Sequence, residues 1–175
     1  MVQGVGKAAL APMPPVGGDI SSLALREEKP MAKAKQTPRE IVQRWINDGY
    51  NAGNLDVLRE SVTEDVVMHG QPGVEGALQG REEYLEWATE ISKALPDQQI
   101  KIHEVVSEGD FVAARVTLTA TQEGPLGEIP PTGESFEVDA LALIRTEDGR
   151  IAEKWFRVDE LGMMKQLGAI EQLGR

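Results

Sequence analysis

From Thr37 onward, apolar side chains first recur at every third or fourth position and later at every second. Ile41, Val42, Trp45, Ile46 and Tyr50 mark one face of a helix. Thr37-Pro38-Arg39-Glu40 starts that helix: Thr37 can cap it, Pro38 suits the first position, and Glu40 completes a capping box. Gly49 and Gly53 weaken its end, and Asn54 starts a short second helix through Leu55, Val57, Leu58 and Val62. Val66-Val67-Met68-His69 is long enough only for a strand, and Gly70, Pro72, Gly73 and Gly76 follow it as a loop. A third helix is expected from Arg81 to about Leu95, with Tyr84, Trp87 and Ile91 as its stripe and Pro96-Asp97 as its stop.

After Pro96 the period changes to two. Ile100, Ile102 and Val106, then Val112, Ala114, Val116 and Leu118, alternate with polar residues across a Ser107–Asp110 turn. A long Gly- and Pro-rich connection, 124–133, leads into a strand from Glu134 to Arg145. Asp148-Gly149 signals a hairpin into a last strand, Ile151–Val158, and a helix or turn begins at Asp159. Three helices followed by an antiparallel meander predict an α+β fold, with a sheet of four to five strands covered by helices.

Composition narrows this picture. The chain has 175 residues, room for one ordinary domain, and no cysteine, which excludes disulfides and thiol chemistry. Its formal charge of −11 disfavours nucleic acid and anionic membranes as partners, and two histidines argue against a metal centre. Residues 1–37 carry five basic groups against three acidic ones and a Pro- and Gly-rich run, Ala11–Gly18. They read as a flexible tail, distinct from a single domain at 38–175. The apolar run there is too broken for a signal peptide, and Met31 resembles an internal start, so a cytoplasmic protein is expected.

Without glycine-rich phosphate loops or a serine elbow, catalysis would fall to carboxylates, His, Arg, Tyr or amides. By period two, Glu137 and Asp139 share a face with Leu141 and Leu143. The strand looks buried on both faces beyond Asp139, which would place two carboxylates at the margin of burial, where a raised pKa suits acid–base work. An exposed strand start is the plainer alternative. Arg115 shares a row with Thr117, Thr119 and Thr121; that row lines a wet cavity, faces solvent or forms a dimer interface. His69 borders the glycine-rich loop, as a structural histidine or a proton carrier, whereas His103 reads as exposed. Trp45, Tyr50, Tyr84, Trp87 and Trp155 sit at core spacing and can also wall a planar ligand.

Five segments together resemble one family. They are Trp45-Ile-Asn-Asp-Gly-Tyr-Asn-Ala-Gly-Asn-Leu-Asp with Asp65-Val-Val-Met-His69, Glu108–Arg115, Pro130-Pro-Thr-Gly133, Arg145–Trp155 and Asp159–Gly168. In order and spacing they resemble the SnoaL-like polyketide cyclases, from about Pro38 to Gly168. The resemblance implies the nuclear transport factor 2-like fold: a cone-shaped pocket formed by a curved antiparallel sheet packed against three helices. It also implies cofactor-free intramolecular aldol closure of a small conjugated carbonyl compound. The pocket Asp that moves the proton best matches Asp139, with Glu137 as alternative and His69 nearby as a catalytic candidate. Trp45, Tyr50, Asn51, Trp87 and Arg115 are expected to contact substrate, with no metal, and the apolar strand faces imply a homodimer.

One departure stands out. Many relatives carry a His just before Pro-Pro-Thr-Gly, where this chain reads Thr119-Ala-Thr-Gln-Glu123. That leaves a non-catalytic small-molecule binder or a protein-interaction module of the same fold as the alternative reading. Epoxide hydrolysis is disfavoured, because Thr117 and Phe156 stand where its carboxylates would be needed.

Overall fold

The computed structural model describes residues 36–170; most of the expected 1–37 tail lies outside the described residues. Helix α1 (Pro38–Arg44) begins with the expected capping box: the Glu40 amide donates to Thr37 Oγ1 (3.3 Å) and the Thr37 amide to Glu40 Oε2 (2.8 Å). It continues as a π-helical turn, Trp45–Tyr50. The wider turn keeps Tyr50 beside Trp45, their rings edge to face at 5.0 Å. Asn54 caps α2 (Leu55–Ser61), and β1 (Val62–His69) follows without a linker. A short strand β2 (Ala77–Gln79) precedes α3 (Arg81–Ala94). Then come β3 (Gln99–Glu108), β4 (Phe111–Thr121), β5 (Ser135–Glu147), β6 (Arg150–Val158) and α4 (Glu160–Gln166).

The α+β class stands, but the sheet differs from expectation. It has six strands in the order β2-β1-β6-β5-β4-β3, and β1 runs parallel to β6. The meander β3–β6 is antiparallel throughout, and its last strand returns alongside β1 in the same direction. β2 escaped the sequence because three residues inside a glycine-rich loop carry no measurable period. The Asp148-Gly149 turn has positive φ at both residues (48° and 79°), as a tight hairpin demands.

Two faces separate cleanly. Val112, Ala114, Val116, Leu118 and Ala120 of β4, with Phe136, Val138, Ala140 and Ile144 of β5, are buried. The opposite face of β5 is exposed beyond Asp139, with Leu141 at 60% and Leu143 at 42%. The expectation that β5 is buried on both sides is therefore corrected: one side meets the helices and the other meets solvent.

Candidate active site

On the inner face, β6 places a lysine where period two calls for a hydrophobe. Strand register aligns Leu78 (β2), Met68 (β1), Lys154 (β6), Ile144 (β5) and Val112 (β4) in one row across the sheet. All five are buried, Lys154 at 5% exposure. Its Nζ donates to Gln71 Oε1 at 3.2 Å and lies 4.4 Å from the Phe156 ring centroid and 5.2 Å from that of Trp45.

These groups wall an apolar cavity of about 60 Å³ between sheet and helices. Trp45, Tyr50 and Trp87 come from the helices, Ala114, Ala142 and Phe156 from the sheet, and Met163 from α4. Space on this scale holds several waters or one end of a larger ligand. Among the described residues no carboxylate lines it, and the titratable groups on its wall are Lys154 and Tyr50.

Burial acts on both groups. Desolvation lowers the Lys154 ammonium to about 7, so near neutrality a large fraction is the free amine. The two aromatic rings favour the cation, but by only about 0.5–2 kcal/mol, less than the cost of removing an unpaired ammonium from water. The downward direction therefore prevails.

Tyr50 ends a relay. Trp45 Nε1 donates to Tyr84 Oη (2.9 Å), and Tyr84 Oη donates to Tyr50 Oη (3.1 Å), leaving the Tyr50 proton available to a ligand oxygen. Desolvation raises the Tyr50 pKa, as it does that of Tyr84, so both remain neutral donors.

Gln71 is 2% exposed, and its Nε2 has no hydrogen-bond partner among the described residues. Trp87 Nε1 donates to Pro72 O (3.3 Å), fastening α3 to the loop that carries Gln71.

The sequence-derived candidates divide accordingly. Trp45, Tyr50 and Trp87 line the cavity. Asp139 does not: it lies on the exposed outer face and accepts from Thr117 Oγ1 at 2.8 Å. Glu137 is exposed on the same face, its backbone paired with the Gln166 side chain (2.9 and 3.0 Å). Strand alternation is the reason, since their even-numbered neighbours Phe136, Val138 and Ala140 take the inner positions. Arg115 also faces outward, bonded to Glu104 through Nε (2.6 Å) and Nη2 (3.0 Å). Asn51 spends its amide on β3, donating to Ile100 O (2.9 Å) and accepting from Ile100 N (2.7 Å). His69 lies beside the cavity loop but bonds Glu153 Oε1 (3.0 Å) and stacks on Trp155. His103 is exposed, as expected.

Lys154 and Gln71 were missed. Period two through β6 puts Lys154 on the face of Ala152, Phe156 and Val158, a signal available in the sequence. Nothing local marks Gln71; its burial follows from how the loop folds over the cavity.

A helix-covered mixed sheet enclosing an apolar cavity is the nuclear transport factor 2-like architecture, a small-molecule-pocket scaffold. Residues 40–167 match the SnoaL-like polyketide cyclase family, and this chain belongs to it. It is 28% identical over 133 residues to the aklanonic acid methyl ester cyclase DnrD of Streptomyces peucetius, covering 75% of this chain and 91% of that protein. Among solved structures it is similar to a SnoaL-like protein from Jannaschia sp. CCS1. The identity is 26% and the TM-score 0.69, covering 80% of this chain and 97% of that one. IdmH of Streptomyces antibioticus is 30% identical with a TM-score of 0.65, covering 76% of this chain and 99% of that one. Family membership supports cyclase-type activity. Among the described residues, no helix is long and apolar enough to cross a membrane.

Proposed function

We propose that this protein carries out cyclase-type chemistry on a small, conjugated, polyketide-like carbonyl compound, one end of which enters the cavity. The observation that carries the reading is Lys154, a titratable amine buried in an otherwise apolar, aromatic wall. Tyr50 donates to the ligand's carbonyl oxygen and stabilises negative charge as it develops there. Lys154 supplies the reactive amine, and the reading requires no cofactor. It replaces the assignment of Asp139 and Glu137, which lie on the other side of the sheet. A purely passive binder would have no use for a buried amine that, among the described residues, has no carboxylate beside it and whose desolvation costs stability.

The test uses aklanonic acid methyl ester, the compound named for its relative DnrD, with related anthraquinone esters, followed chromatographically. Turnover is expected in the unaltered protein, about 10²-fold or more lower in Lys154→Met, and unchanged in Asp139→Asn. Loss of turnover in Asp139→Asn with retention in Lys154→Met would overturn the assignment.

The same proposal includes a homodimer. Val112, Ala114, Val116, Leu118, Phe156 and Val158 raised that expectation, but the first four are buried and the last two pack half-buried against the same inner face. The support comes instead from the outer face, where Val106, Leu141, Leu143 and Trp155 line a groove edged by the Arg115–Glu104 pair. Exposed apolar residues flanked by both signs of charge suit a second copy of the same face related by a two-fold axis.

A further inference from the structure

Two polar groups of the core are neighbours with capacity unused among the described residues: an amine without a carboxylate partner, and an amide with one half unpaired. Gln71 Oε1 accepts from Lys154 Nζ (3.2 Å), while the Nε2 of the same amide is buried with no acceptor. Burying an amide hydrogen without a partner is unfavourable, so a ligand oxygen arriving there supplies the hydrogen bond that the apolar wall does not. A ketone or aldehyde brings that oxygen together with an electrophilic carbon beside Nζ. We propose that Lys154 and Gln71 form a carbonyl-capture site, in which the amine bonds covalently to the ligand as an imine. The inference rests on the reading that the cavity receives a carbonyl compound and deepens it by naming the bond formed.

The step balances without an oxidant or reductant. The Nζ lone pair attacks the carbonyl carbon, a C–N bond forms, and the C=O π pair moves to oxygen, which accepts a hydrogen bond from Gln71 Nε2. Proton transfer from nitrogen to oxygen gives the carbinolamine. Its hydroxyl takes one proton from solvent, the C–O bond breaks as the C=N bond forms, and water and the protonated imine result. The protonated imine draws electrons from the adjacent carbon and acidifies its hydrogens, the activation an aldol closure needs. Burial favours the capture, because near pH 7 about half of the Lys154 amine is free, whereas an ordinary lysine keeps roughly one part in a few thousand unprotonated.

Benzaldehyde is the probe, with cyanoborohydride to reduce any imine to a stable secondary amine, at about pH 6.5. Adducts are located by peptide mass mapping. Benzyl alcohol, equal in shape but not electrophilic, reports cavity occupancy. It is read by quenching of Trp45 and Trp87 in a Trp155→Phe background, which removes the tryptophan on the outer face. The expected result is quenching by benzyl alcohol and labelling at Lys154 at least about tenfold faster than at exposed Lys93, Lys101 or Lys165. Labelling at that peptide vanishes in Lys154→Arg, which keeps a cation, and slows several-fold in Gln71→Leu while benzyl alcohol still binds. Quenching by benzyl alcohol with labelling spread evenly over the lysines would overturn imine formation and leave the cavity reading intact. No quenching by benzyl alcohol would overturn the cavity reading and this inference with it.

Discussion

Lys154 sits in a hydrophobic row, between Met68 and Ile144, and that placement ties stability to pH. In the unfolded chain its amine titrates near the ordinary lysine value of about 10.4; in the fold it titrates at about 7. Between these values the unfolded chain holds a proton that the folded chain has shed, so unfolding free energy rises with pH. The slope approaches about 1.4 kcal/mol per pH unit. Below about pH 7 both states are protonated and the destabilisation is fully present. Among the described residues, the neighbours packed on Lys154 carry no opposing charge; Tyr50, the other titratable group on the cavity wall, is neutral throughout this window. Above about pH 9.5 unfolded phenols begin to ionise and pull the other way, so the comparison stops there. Urea unfolding of the unaltered protein and Lys154→Met is expected to give a gap favouring Met at pH about 6, narrowing by a few kcal/mol by pH about 9. Parallel stability curves would mean that Lys154 keeps an ordinary titration despite its burial.

At the scale of elements, the long connection between β4 and β5 is held by contacts that no pattern announces. Ala94 O, at the end of α3, accepts from the amides of Glu123 (2.9 Å) and Gly124 (3.1 Å). A Cβ on Gly124 would come within 2.8 Å of Ala94 Cα and 3.1 Å of Lys93 O, both backbone. Gly124→Ala is therefore expected to cost about 1–3 kcal/mol by forcing the loop off the helix end, measured by thermal or urea unfolding. A neutral substitution would show that this junction yields freely. Gln122 fastens the rest of the connection, its buried Nε2 donating to Gly124 O and Pro130 O (both 3.1 Å) and its Oε1 accepting from Thr132 Oγ1 (2.8 Å). Such polar fastening is invisible to periodicity, because a buried glutamine looks like any loop residue. What was legible followed from local physics: the Thr37 capping box, the Asp148-Gly149 hairpin, the change of period after Pro96, and the two faces of β5. Which of those faces meets the helices is decided by tertiary packing. The alternation placed Glu137 and Asp139 together without saying that their side is the solvent side. β2 and the parallel β1–β6 pairing were equally hidden, since strand neighbours distant in sequence leave no local trace.

For the molecule as a whole, the outer face sets an apolar groove against a strongly negative chain. Val106 is 67% exposed and Leu141 60%, more apolar surface than a free strand face gains from showing to water. Covering it with a second copy brings two chains of formal charge −11 together, so apolar attraction and long-range repulsion act against each other. Salt screens the repulsion over a Debye length of about 10 Å at 0.1 M and leaves apolar burial intact. Association should therefore strengthen as salt rises from about 0.02 M to about 0.3 M, opposite to an interface held mainly by ion pairs. A two-fold arrangement makes each residue of the patch appear twice, so one substitution near the axis sets like charges against each other. Leu141→Glu is expected to yield a monomer in sedimentation equilibrium at micromolar concentration. Its fold and its cavity, on the opposite face of the sheet, should remain unchanged, so benzyl alcohol still quenches Trp45 and Trp87. If the unaltered protein sediments as a monomer across the whole salt range, the outer face is not an interface between copies. A dimer that survives Leu141→Glu would place the contact elsewhere on the surface.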